Sequence, residues 1–178
     1  MSKYRLVGLE SILVGAVNTT TFAMPATSGY TTISNIVPGT AHLALELPSK
    51  NKYFTEDSDY ADIVITEEGA KMVEFATRDM ASSIMTLAFG GSYNTTTLVW
   101  SAPTDPRGVI EKALRLTSKT YSGAKFRFDI PRAEFSGGGD LRFSNKGATE
   151  PGVINFQAEV MTGENSTGNV APITRTQI

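Results

Sequence analysis

The chain has 178 residues, 40% hydrophobic and 19% charged, with 16 Gly and 8 Pro, the composition of one ordinary globular domain that can bury about two thirds of its unfolded surface. Its 16 basic and 18 acidic residues leave a formal charge of −2, which gives no basic stripe for tight duplex binding but still allows a surface that nucleic acid passes without adhering. With no cysteine and a single histidine, His42, disulfides, thiolate catalysis, cysteine zinc sites and multi-histidine metal sites are excluded.

In chain order, Leu6 to Val17 is apolar but interrupted by Glu10, and it falls short of the roughly 20 residues that span a bilayer. It also lacks a signal-peptide cleavage site, so residues 5–17 read as a buried strand, with no membrane insertion. Thr31 to Val37 reads as a second strand, followed by a Pro38-Gly39 turn. Ala41 to Leu47 alternates Ala41, Leu43, Leu45 and Leu47 against His42, Ala44 and Glu46, a half-buried strand in which His42 is a partly buried polar residue. Residues 48–60 lose periodicity and carry Lys50, Lys52, Tyr53, Phe54, Asp57, Asp59 and Tyr60. They read as a loop, either a solvated excursion or a contact loop whose aromatics order on a partner.

Residues 62–77 read as a hairpin turning at Glu68-Gly69-Ala70, with Asp62, Thr66 and Glu74 on its polar face. A helix over about 79–89 follows. Asp79 is its expected N-cap, Met80, Ile84, Leu87 and Ala88 fall on one face, and Gly90-Gly91 stops it. Thr95 to Ser101 is rich in β-formers, with Trp100 expected in the core. Pro103 to Gly108 is a turn, and residues 109–117 fit a strand although EKALRL also contains good helix formers.

Two later segments alternate strictly. Phe126, Phe128 and Ile130 oppose Lys125, Arg127 and Asp129; Ile154, Phe156, Ala158 and Val160 oppose Asn155, Gln157 and Glu159. Gly137-Gly138-Gly139 reads as the turn before a strand from Asp140 to Phe143, and the tail beyond Thr162 as an extended or disordered arm. The expected fold is mainly β, an antiparallel β-sandwich or barrel with one flanking α-helix. It is a single β domain over 1–162 with a contact loop at about 48–60 and a C-terminal arm over 163–178.

No catalytic constellation emerges. A Ser-His-Asp triad would depend on His42, and there is no GxSxG elbow. Glu67-Glu68 and Asp57 with Asp59 read as solvated turn charges rather than an acid–base pair. Asp57-Ser58-Asp59 lacks the glycine and distal glutamate of a calcium loop, and the triple glycine lacks a phosphate loop's Lys-Ser/Thr. No catalytic, cofactor or metal residue is therefore assigned. A stable β domain of this kind reads as a structural or binding protein, not an enzyme.

Two blocks carry a family resemblance. Val73 to Gly91 (VEFATRDMASSIMTLAFGG) joins a strand ending in Arg78-Asp79 to a small-residue helix closed by paired glycines. Phe126 to Phe143 (FRFDIPRAEFSGGGDLRF), followed by the strand Gly152 to Met161, gives an Ile-Pro strand end, an Ala-Glu-aromatic entry and a Gly-Asp turn. Together they resemble the strand–helix core and C-terminal half of phage major tail tube proteins from long non-contractile tails, over residues 62–161. The triple glycine and the 109–117 segment depart from the simplest family pattern.

The resemblance implies a virion tail protein made in the host cytoplasm, whose subunits close into hexameric rings. The rings stack into a tube that conducts DNA without binding it specifically. Implied partners are further copies of itself and the tape measure, tail tip and terminator proteins. Asp62, Thr66 and Glu74 would face the channel, where acidic groups repel the DNA backbone. The 48–60 loop (Lys50, Lys52, Tyr53, Phe54, Asp57, Asp59, Tyr60), the N-terminal segment and the C-terminal arm would make contacts between rings. The alternatives are a carbohydrate- or receptor-binding β module using Tyr53, Phe54 or Tyr60, and the tube or ring protein of a contractile injection system.

Overall fold

The computed structural model describes residues 7–53, 63–67, 69–105, 110–140 and 152–178. Its elements in chain order are β1 (Val7–Ala16), a 3-10 turn (Thr27–Gly29), β2 (Tyr30–Ile33), β3 (His42–Leu45), β4 (Ser49–Tyr53), β5 (Ile63–Glu67) and β6 (Lys71–Thr77). Then come α1 (Ser82–Phe89), β7 (Ser92–Asn94), β8 (Val99–Ser101), β9 (Ile110–Lys119), β10 (Phe126–Asp140), β11 (Val153–Val160), β12 (Gly163–Asn165), β13 (Gly168–Val170) and β14 (Thr174–Gln177). The fold is mainly β with one flanking α-helix among the described residues, as the alternating patterns require.

Eight strands form one antiparallel sheet in the order β2-β1-β9-β10-β11-β6-β3, with β14 added beside the N-terminal half of β10. The chain leaving β2 crosses to the far side of the sheet. There Ile36 bridges Thr77, Val37 N donates to Ala76 O (2.8 Å) and Arg78 N donates to Asn35 O (3.1 Å). The sheet thus curls until its two ends are tied, and its concave face becomes the core. Buried Thr77 fastens the seam: its hydroxyl donates to Ser34 O at 2.5 Å and accepts from Asp79 N at 2.9 Å.

The core joins Ile12, Val14, Ile33, Val73, Leu114, Leu116, Ile130 and Ile154 to the rings of Phe75, Phe135 and Phe156. Phe156 lies 5.1 Å from each of the other two ring centroids. Helix α1 closes the core by burying Ile84 and Ala88. It starts later than expected. Its N-cap position is Ala81, without a side-chain cap, while Asp79 Oδ1 accepts from Ala81 N at 3.0 Å. Asp79 therefore shapes the turn entering the helix, and Met80 lies outside the helix and is 41% exposed. Gly90, at φ 75°, ends it as expected.

Several expectations change with strand pairing. Gly137-Gly138-Gly139 is not a turn; it lies inside the 15-residue β10, opposite Phe156, Asn155 and Ile154 of β11. A Cβ on Gly137 would come within 2.7 Å of the Ala88 Cα and 2.8 Å of the Phe156 ring, so the missing side chain is what lets the helix rest on the sheet. β10 also passes through Pro131, where a register shift between Ile130 and Ala133 marks a bulge, the place a strand tolerates proline. Of the 109–117 segment, residues 110–117 are strand, as expected.

Residues 62–77 do not form their own hairpin. β6 pairs with β3 and β11, while β5 pairs with β4, so the first part of the expected 48–60 loop is strand. His42 faces Glu74 and Leu45 faces Lys71; beyond 46–48, Ser49 faces Glu67 and Tyr53 faces Ile63 in the same register. Glu46 N donates to Ala70 O at 2.9 Å across the step. β3–β4 and β5–β6 are therefore the two limbs of one long hairpin.

Thr95 to Ser101 contributes only β8 and a turn. Trp100 is half-buried outside the main core, donating its indole N–H to Gly90 O at 3.0 Å, with Phe89 packed against its edge. The tail is ordered: β12 and β13 form a small hairpin, and β14 pairs with Phe126–Asp129. Residues 5–6, 54–62, Glu68, 106–109 and 141–143 of the expected elements lie outside the described residues.

Candidate assembly surface

The convex face of the sheet alternates with the core face, so paired positions set its surface row by row. On its β3–β6–β11–β10 side, His42, Glu74, Gln157 and Ser136 are successive register partners, and Ala44, Met72, Glu159 and Glu134 form the next row. His42 Nε2 lies 2.8 Å from Glu74 Oε2, and Gln157 Nε2 donates to Glu74 Oε1 at 3.1 Å. His42 is thus exposed beside Glu74 rather than partly buried, because β3 ends the sheet order and its convex side is uncovered. Its Nδ1 lies 3.1 Å from Thr40 O.

Glu134 and Glu159 are both exposed and lie directly opposite each other, an arrangement that costs free energy in an isolated sheet. Beside them, a shallow open depression of about 500 Å³ is floored by Gly137 and Gly138 and rimmed by Glu74, Ser136, Asn155 and Gln157. This half of the face is polar and acidic. No group of His, Asp or Glu that could hold a metal occurs among the described residues.

The second component is the outer part of the long hairpin. β4 and β5 pair with no other strand among the described residues and extend the hairpin by roughly 17 Å, at about 3.3 Å per residue. Where the arm leaves the sheet, Leu45 is 59%, Leu47 89% and Ile65 46% exposed. The alternation that was expected to bury Leu45 and Leu47 is present, but the core does not reach that far.

Of the expected channel-facing residues, Glu74 lies on the convex acidic face; Thr66 stands in β5 opposite Lys50, on the arm rather than beside Glu74. Asp62 lies outside the described residues. Of the expected contact-loop residues, Lys50, Lys52 and Tyr53 belong to β4, with Lys50 exposed; Phe54, Asp57, Asp59 and Tyr60 lie outside the described residues.

Two ion-pair clusters were not foreseen. Arg132 grips Glu111 bidentately, Nε to Oε2 at 2.9 Å and Nη2 to Oε1 at 2.5 Å. That hydrogen bond holds the Glu111 carboxyl below its ordinary pKa and raises Arg132. Asp129, expected on a wet face, is 5% exposed. Its Oδ1 accepts from Arg115 Nε at 2.6 Å, and Arg127 Nε lies 2.9 Å from Oδ2. The first bond raises the Arg115 pKa, while burial pushes the Tyr30 phenol up. The local signal for this cluster was only an acid between basic neighbours; its burial comes from β9 and β14 on either side.

Comparison with protein-family models and with curated proteins gave no match.

Proposed function

We propose that this chain is the major subunit of a phage-type tail tube, a structural protein that closes into hexameric rings stacked around a DNA-conducting channel. The observation carrying this reading is the β4–β5 arm, which leaves the sheet with Leu45, Leu47 and Ile65 exposed. Such an arm is a liability on an isolated molecule and gains stability only when another chain covers it. Stacking of rings supplies that cover from further copies. The acidic convex half, with Glu74, Glu134 and Glu159, suits a lumen wall that repels phosphates and lets DNA slide. The resemblance of residues 62–161 to tail tube proteins supports the same reading, with the tape measure, tail tip and terminator proteins as partners in the virion tail.

The test is electron microscopy of the concentrated protein, with and without tail tubes as seeds. Rings or hollow tubes with sixfold end views are expected. Monomers that persist with seeds would overturn the proposal, and binding to a glycan array by such monomers would replace it with a receptor-binding module. Leu47→Lys together with Ile65→Lys should leave unfolding within about 0.5 kcal/mol of wild type and stop tube growth.

A further inference from the structure

We propose that the other half of the convex face, built by β2, β1, β9, β14 and the start of β10, is a recognition site for a singly charged oxyanion, the chemistry shared by a carboxylate and a phosphodiester. Register assembles it. Arg115 stands opposite Asp129, Thr174 and Thr176 of β14 stand opposite Asp129 and Arg127, and Arg115 Cζ lies 5.1 Å above the Tyr30 ring. Two guanidiniums surround one carboxylate, so the cluster carries a net charge of +1. The adjacent Arg132 and Glu111 neutralise each other.

The donors are in excess as well as the charge. Arg115 bonds Asp129 through Nε, which leaves its Nη groups without a hydrogen bond among the described residues. Arg127 Nε lies 2.9 Å from Asp129 Oδ2, and the buried Tyr30 hydroxyl has no hydrogen-bond partner among the described residues. A buried hydroxyl without a partner in a native fold requires an explanation. The side chains of Arg115 and Arg127 remain 16% and 32% exposed, so the cluster is not sealed from solvent. A carboxylate or phosphodiester there would neutralise the cluster and accept from both guanidinium forks, with the threonine hydroxyls beside it. This differs from the acidic half in sign and in residues, sharing only β10 with it, and it stands whether or not the chain forms tubes.

The experiment is a 1H–15N NMR titration of the whole chain with dimethyl phosphate and, separately, acetate at constant ionic strength. Saturable shifts confined to Arg115, residues 126–129 and residues 174–177 are expected with one or both probes. A response to dimethyl phosphate alone identifies a phosphodiester ligand, and a response to acetate alone identifies a carboxylate. Arg127→Gln should weaken binding about tenfold or more while the spectrum stays dispersed. Arg127→Lys, which keeps the charge but loses the fork, should also weaken it and serves if the glutamine variant unfolds. Shifts that stay linear and scattered with both probes, or affinity unchanged in a folded variant, would overturn the proposal.

Discussion

Gly137→Ala is the sharpest test of the packing, because it separates a turn from a strand under a helix. The new Cβ would sit 2.7 Å from the Ala88 Cα and 2.8 Å from the Phe156 Cε1, too close for either to stay in place. Overpacking of this kind costs about 1–3 kcal/mol, against which the lower entropy of the unfolded chain returns about 0.4–1 kcal/mol. The expected outcome is a net loss of about 1–2 kcal/mol, a fall in Tm of roughly 2–8 °C for a chain of this size. Gly138→Ala is the control, since nothing lies within 4 Å of its added Cβ; it should be neutral or slightly stabilising. Urea unfolding followed by far-UV circular dichroism measures both. Trp100 fluorescence adds a local report, because the indole bonds to the end of α1. Equal effects at 137 and 138, or a neutral Gly137→Ala, would refute the packing of α1 on β10.

Thr77→Val should cost about 1–3 kcal/mol, because Ser34 O loses its donor and Asp79 N its acceptor in a buried seam; chemical denaturation measures it. Asp129→Asn should cost about 3 kcal/mol in the same assay, since Arg115 and Arg127 lose the anion between them. Glu111→Gln should cost about 0.5–1 kcal/mol at neutral pH, as expected of a bidentate pair that is partly exposed. The bond to Arg132 lowers the folded carboxyl below 4.5. Its stabilisation is therefore fully present above the unfolded value and fades as pH falls through the folded one. Denaturation curves of wild type and variant should then converge below pH 4.5, and a gap that persists in acid would remove the ion pair as its cause.

The acidic convex rows were half legible in the sequence. Asn155, Gln157 and Glu159 stood out by alternation, but Glu134 beside them did not, because Pro131 and the bulge break the count along β10. Glu74 was readable as a polar position on a strand; its neighbours His42 and Gln157 come from strands far away in sequence. The arm was hidden for a different reason. Residues 48–53 carry no apolar alternation, and Ser49, Lys50 and Asn51 of β4 are exposed, because periodicity reports burial rather than hydrogen bonding.

By itself, the sequence determined what depends on neighbouring residues: a mainly β chain, the strand over 110–117, the alternating strands around Phe126 and Ile154, and a helix stopped at Gly90. It also removed cysteine and multi-histidine chemistry through composition alone. Tertiary structure decided what depends on residues distant along the chain. Pairing with β11 made Gly137-Gly138-Gly139 a strand instead of a turn. Pairing with β4 took residues 63–67 out of the expected hairpin. Asp129 was drawn from solvent between two arginines by the strands on either side of β10. Local periodicity fixes which way a side chain alternates, but only the strand or helix laid beside it determines whether that side is wet, buried or open to a partner.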